Sequence, residues 1–278
     1  MQAGVVEQVV DFYGSVFNDI FADPFRPQIA DPLKRNAVVR QIQESADAAS
    51  QSLTRFFLNE KLTEGQVASA LQGFGDATLR TLLEGISWAV EKGADIISMS
   101  LGFTYYEPLF AEVFKLLTEQ YGILPVVAIG NENHGNTSSP GNAYNAFSVG
   151  AAENMGRRKV DVAFFSSGAS LVFPGQQPDA VTKPDVVARG VQIFSCIPPQ
   201  KRPEGVFEYT YMDGTSMATP HVAGTAALLM AAKPHAPVAD IIRALRHTSH
   251  HPGGKDLRPD NRWGYGLIQP VEALKALS

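Results

Sequence analysis

The segment GTSMATPHVAG, residues 214–224, carries the clearest chemistry in the sequence. It places Ser216 where a loop hands over to a helix whose first turn contains Met217, Ala218 and Thr219. A serine there has its hydroxyl and its own backbone N–H aimed into one space, where the helix dipole favours developing negative charge. That arrangement suits acyl transfer. The competing reading is structural, because serine is among the preferred N-cap residues and Ser216 could simply close the first turn. Other reactive side chains are few. The single cysteine, Cys196, excludes an internal disulfide and any multi-cysteine metal site, and its apolar setting in QIFSCIPP predicts a buried core thiol. His247, His250 and His251 invite a metal reading, but TSHHPGGKDLRPD is polar and glycine-rich like a solvated loop, and no cysteine or ordered carboxylate completes a site. No metal is expected there.

The elements that must position Ser216 follow from the pattern after about Gly75. ATLRTLLEGISWAVEKG reads as a helix closed by Gly93, ADIISMSLG as a short buried strand, EPLFAEVFKLLTEQYG as a helix and ILPVVAIG as its strand. NAFSVGAA, ASLVFPG, DVVARG and VQIFSCIP supply further strands, then the long helix from Thr215 and a last one over PVADIIRALRHT. Alternating helix and strand predicts an α/β fold with a parallel sheet flanked by helices, and such sheets gather their ligands where strands meet loops and helix N-termini.

Residues 1–72 differ. Val5, Val9, Phe12, Val16 and Ile20 suit one amphipathic helix, Pro24, Pro27 and Pro32 break it, a second starts with Asp31 as N-cap and Pro32 at its first position and runs through Leu33 to Phe57, and Thr63 with Gln66 opens a third that stops near Gly73. The reading is a small helical segment over 1–72 and an α/β domain over 73–278. With 23 basic and 28 acidic residues the net charge is -5, which gives no basic surplus for nucleic acid or an anionic membrane surface. No stretch reaches the ~18 apolar residues of a membrane span. The first residues, interrupted by Glu7, Asp11 and Asp19, lack the marks of a signal peptide, so a soluble, cytoplasmic protein is expected.

GTSMATPHVAG resembles the nucleophile segment of the subtilisin-like serine peptidases, the subtilase family, and other motifs follow in the family's order. ISWAVEKGADIISMSLG resembles the helix and strand leading to the substrate edge, here Ser100, Leu101 and Gly102. VVAIGNEN resembles the strand ending in the oxyanion asparagine, here Asn131, and SSPGNAYNAFSVGAA resembles the wall of the pocket that takes the substrate side chain. FFSSGA, KPDVVARGVQIFS and GYGLIQPVEAL are also similar, with Arg189 where the family usually has proline. The resemblance implies a subtilisin-like fold truncated at its first strands. Ser216 would be the nucleophile and Asn131 the oxyanion donor, as in the subtilisin example of the family mechanism. Ser100–Gly102 would pair with an extended peptide, and Ala128, Ile129, Gly130 and Ser138 would line the side-chain pocket. Calcium is possible by resemblance, but no residues support it, and no cofactor is expected.

The family order is aspartate, histidine, serine. Neither the D-[TS]-G turn nor the HGTHVAG helix occurs, and all six histidines, from His134 onward, follow the strand that should come after the catalytic one. His221 lies five residues beyond Ser216, off its helix face. His134, three residues past Asn131, is the one plausible substitute base. Loss of the histidine alone removes about 10⁶ from turnover in subtilisin. The expectation is an inert, peptide-binding pseudopeptidase, with two alternatives: a split protease completed by a partner chain that supplies aspartate, histidine and the missing strands, or a hydrolase using His134. The truncation should also leave IISMS as an apolar sheet edge, for which the N-terminal helices are the natural cover.

Overall fold

A computed structural model describes residues 79–156, 159–173, 180–202 and 205–277. The helices expected within 1–72, and the boundary at 72/73, lie outside the described residues. The chain divides into two compact units, Met1–Ala94 and Asp95–Ser278.

In the first unit, helix α1 is described over 79–91. Leu79, Leu83 and Ile86 recur at helical spacing and are buried, while Trp88 on another face is exposed. Gly93, at φ +72°, ends it as expected of a glycine that alone accepts this backbone freely.

The second unit is an α/β layer structure. Strands β1 (Ile96–Met99), β2 (Leu124–Ala128), β3 (Phe147–Asn154) and β7 (Val186–Arg189) run parallel in the order β1-β2-β3-β7, and β4 (Val160–Val162) pairs antiparallel with the end of β3. Among the described residues β1 pairs only with β2 and forms the edge of the sheet. Every residue of β2 is buried, which explains why LPVVA reads as a continuous apolar run and not an alternation. Leu124 and Val126 point into one core with Phe147 and Val149. There they meet Ala218, Val222, Ala226 and Leu229 of α3 (Thr215–Ala232). Small side chains let α3 lie close across the sheet. Helix α2 (Leu109–Glu119) packs on β2, burying Phe110, Val113, Phe114 and Leu117. Helices α4 (Val238–Thr248) and α5 (Pro270–Ala276) pack against α3.

Two hairpins leave this sheet. β5 (Ala169–Val172) pairs with β6 (Ala180–Lys183), and β8 (Ile193–Arg202) pairs with β9 (Gly205–Met212). The second hairpin corrects the reading of Cys196. The thiol is exposed, on the hairpin face it shares with Phe194, Tyr209 and Tyr211, because β8 leaves the core sheet and pairs only with β9 among the described residues. An apolar sequence neighbourhood marked a strand but not the sheet it joined.

A buried charge cluster fastens α4 to the sheet. Lys183 is fully enclosed and donates to Asp185 Oδ2 at 3.0 Å and to the Ala146 carbonyl. Asp185 Oδ2 also accepts from Ser148 N at 2.7 Å and Ser148 Oγ at 2.9 Å, and Oδ1 accepts from Arg246 at 2.5 Å. Burial would raise the Asp185 pKa, but Arg246, Lys183 and the Ser148 N–H outweigh it and hold the carboxyl down at about 2. Burial pushes the Lys183 ammonium below its ordinary range, and Asp185 opposes that push.

Candidate functional site

Ser216 is the second residue of α3, and the helix is capped by Gly214 at φ +154° with no side-chain capping bond. The N-cap reading of Ser216 is therefore wrong. Backbone geometry at Gly214 starts the helix, which leaves the Ser216 hydroxyl available for other contacts. The loop before it is fastened at two points: Gly214 N donates to Gly190 O at 2.8 Å, and Asp213 Oδ1 accepts from Gln192 N at 2.6 Å. Both partners lie in the turn between β7 and β8.

The first residue beyond β1 is Ser100, and it reaches Ser216 twice. Ser100 Oγ donates to the Ser216 carbonyl at 2.8 Å, and Ser216 Oγ donates to the Ser100 carbonyl at 3.4 Å. Ser100, Leu101 and Gly102 are exposed and lie outside any strand. From there Phe103 turns inward, exchanging backbone bonds with Ser139 at 2.7 and 2.9 Å.

The end of β2 delivers Asn131. Its Oδ1 accepts from Thr215 N at 2.9 Å and from Thr215 Oγ1 at 3.0 Å, so its carbonyl end is fixed at the start of α3. The Nδ2 end lies 3.6 Å from where a Cβ on Gly214 would stand. Sequence places Asn131 and Ser216 in separate motifs, and the fold brings both to one loop.

Between Gly102 and Gly130 the space is nearly closed. A Cβ on Gly102 would stand 3.1 Å from Ser138 Cβ, and one on Gly130 would meet Ser138 Cβ at 3.1 Å and Glu132 Oε2 at 2.2 Å. Ser138 therefore sits between two bare glycine walls. Ala128 and Ile129 are buried, so their share in any pocket is backbone. Sequence reasoning missed Glu132: its Oε2 accepts from Ser138 Oγ at 2.8 Å and Ser167 Oγ at 3.0 Å. The signal was present as the lone acidic side chain of GNENHGN, two residues past Gly130.

Three of the histidines have hydrogen-bond partners of their own. His134 Nε2 meets Asn261 Oδ1 at 3.1 Å, and its backbone bridges to Gly168. His221 Nδ1 meets Met217 O at 2.8 Å within its own helix. His251, expected in a solvated loop, is buried, with Nε2 at 3.0 Å from Asp260 Oδ2 and Nδ1 accepting from Gly253 N at 3.0 Å. Both its nitrogens are used locally. Among the described residues no group of three or more His, Cys, Asp or Glu side chains could hold a metal ion, and no helix is long and apolar enough to cross a membrane.

The sequence profile of the subtilase family matches residues 36–266. The chain belongs to the subtilase family. That match begins inside the segment read as a separate helical module. Pyrolysin from Pyrococcus furiosus is 36% identical over 189 residues, covering 58% of this chain and 13% of that one. Subtilisin Savinase from Lederbergia lenta is 30% identical over 201 residues, covering 72% of this chain and 64% of that one. Among solved structures, fervidolysin from Fervidobacterium pennivorans, a keratinolytic enzyme related to subtilisin, aligns with a TM-score of 0.56 at 30% identity, over 69% of this subtilase chain and 28% of fervidolysin. The prenylagaramide maturation protease PagA aligns with a TM-score of 0.53 at 24% identity, over 72% and 68% of the two chains, a likeness of fold. The subtilase chain spans less than two thirds of the length of these curated relatives.

Proposed function

We propose that this polypeptide is a subtilase-family pseudopeptidase that holds an extended peptide beside Ser216 and, alone, does not cleave it. Ser100–Gly102 offers backbone to a ligand strand. A ligand side chain would lie against the wall that Ala128–Gly130 and Ser138 build, and Asn131 and the Ser216 N–H form the polar corner where an oxyanion would sit. One observation carries the reading: the Ser216 hydroxyl donates to the Ser100 carbonyl, while the imidazoles of His134, His221 and His251 are bonded to other groups. Without a base the hydroxyl keeps its proton and is a poor nucleophile. The bond of His134 to Asn261 counts against a rearranged base.

A second reading is a protease completed by another chain that brings the aspartate, the histidine and further strands. It is favoured by the surface of α3, whose only ionisable side chain is His221 and which still exposes Gly224, Ala227, Leu228 and Ala231, with Leu228 at 71%. A helix apolar on all sides belongs in an interior. β1, which among the described residues pairs only with β2, adds an edge whose backbone groups suit a further parallel strand.

Fluorophosphonate labelling of the purified chain tests both. The pseudopeptidase predicts no labelling that depends on Ser216. Labelling lost in both Ser216→Ala and His134→Ala would overturn it in favour of a hydrolase using His134. Labelling that appears only on adding a second polypeptide would establish the split enzyme.

A further inference from the structure

We infer that Ser100 is a positioning residue for Ser216, made necessary by Pro220. In an α-helix the carbonyl of residue 216 accepts from the N–H of residue 220. Residue 220 is proline, inside α3, and has no N–H to give. The Ser216 carbonyl is thus an orphan acceptor in the first turn of the helix that carries the candidate nucleophile. Ser100 Oγ fills the place at 2.8 Å, from a residue 116 positions earlier in the chain.

The neighbouring carbonyls have other partners. Gly214 O accepts from Met217 N at 3.0 Å, Thr215 O accepts from Thr219 Oγ1 at 2.8 Å, and Met217 O meets His221 Nδ1 at 2.8 Å. Ser216 is the position where chain chemistry removes the helical donor and a side chain from another element supplies one. The bond from Ser216 Oγ to Ser100 O runs the opposite way, so the two serines clasp each other by hydroxyl and carbonyl. Pro220 frees a carbonyl, Ser100 takes it, and the backbone of Ser216 is fixed to the end of β1. The backbone that would pair with a peptide and the turn that carries Ser216 therefore move as one body. This linkage holds whether or not Ser216 reacts, so it is tested separately from the proposed function.

The experiment is a double-mutant cycle on the full chain, read by denaturant unfolding. Ser100→Ala in the parent should raise the unfolding equilibrium constant about threefold to tenfold, the range for one lost hydrogen bond. In the Pro220→Ala background, which returns an N–H to the orphan carbonyl, Ser100→Ala should have less than half that effect on a logarithmic scale. Ser100→Thr, which keeps the hydroxyl, should behave as the parent. A second readout reports on position 216 itself: in a Cys196→Ser, Ser216→Cys chain, the iodoacetamide alkylation rate of the introduced thiol should change at least twofold with Ser100→Ala and return with Ser100→Thr. Equal effects of Ser100→Ala with and without Pro220, or an alkylation rate indifferent to Ser100, would overturn the assignment.

Discussion

Asn131 and Thr215 are joined by two hydrogen bonds to a single atom, Asn131 Oδ1 accepting from the Thr215 N–H at 2.9 Å and from its hydroxyl at 3.0 Å. A carboxamide held by its oxygen has its NH₂ end directed away from that anchor. Thr215 is fully buried, so its hydroxyl has little access to water in compensation. Thr215→Val keeps the shape and the backbone bond but removes the hydroxyl, and should cost about 1 kcal/mol in denaturant unfolding. Asn131→Asp keeps the acceptor and removes the Nδ2 donor. It should leave folding within about 1 kcal/mol of the parent while abolishing whatever oxyanion stabilisation a completed enzyme would show. A large folding defect in Asn131→Asp would mean that Nδ2 has a structural duty of its own.

Acid should loosen the attachment of α4 through Asp185. Its carboxyl is held down at about 2 against an ordinary value of 3.8. A depressed carboxyl contributes stability that is present above 3.8 and is lost as pH falls through 3.8 toward 2. The contribution is about 2 kcal/mol. Unfolding followed by urea from pH 6 to pH 2 should show this loss, and Arg246→Met should remove much of it while destabilising the protein at neutral pH by about 3 kcal/mol. An acid limb unchanged in Arg246→Met would show that other carboxylates govern it.

The narrow gap at Gly130 makes a sharp prediction. Gly130→Ala would drive a methyl to 2.2 Å from Glu132 Oε2 and 2.6 Å from Ser138 Oγ, at a φ of +114°. The cost should be about 2 kcal/mol or more. Adding Ser138→Gly to it should recover part of that cost by opening space, whereas strictly additive effects would place the strain at Glu132 and in the backbone. Thermal unfolding of the two single variants and the double resolves this.

Cys196 should react in the native protein. Its exposure on the outer hairpin predicts one thiol titrated per chain by an aromatic disulfide reagent without denaturant, at the rate seen in urea to within about tenfold. Protection until unfolding would place the hairpin against another surface in solution.

Leu228→Lys separates the two functional readings. With α3 open to solvent in the isolated chain, the change should alter stability by less than about 0.5 kcal/mol. Should a completing partner exist, the same change would put an ammonium into its interface and abolish complex formation, as read by size-exclusion chromatography of the mixture.

Much of this architecture was legible in the sequence because parallel-sheet cores announce themselves. LPVVA is apolar without alternation since both faces of β2 are covered, and TSMATPHVAGTAALLMAA is small and apolar since α3 crosses the sheet at close range. Helix ends were equally readable at Gly93 and at Pro237, which precedes α4. Motif order gave the family, and Ser216, Ser100 and Asn131, which those motifs single out, meet at the start of α3. The β9 strand was missed, since GVFEYTYM pairs only with β8 among the described residues and its aromatic side chains Tyr209 and Tyr211 stand in solvent, so burial left no mark on its pattern.

Local features were readable along the chain, namely the core strands and helices, where they stop, and which side chains carry reactive groups, because these follow from periodicity and from the backbone limits of glycine and proline. What those groups touch was settled by the packing of the elements. It set Ser138 between two glycine walls, aimed Glu132 at Ser138 and Ser167, gave His134 to Asn261, and supplied Ser100 to the carbonyl that Pro220 leaves without a partner. These are contacts between elements distant in the chain, and hydrogen-bond directions in three dimensions leave no periodic trace in one.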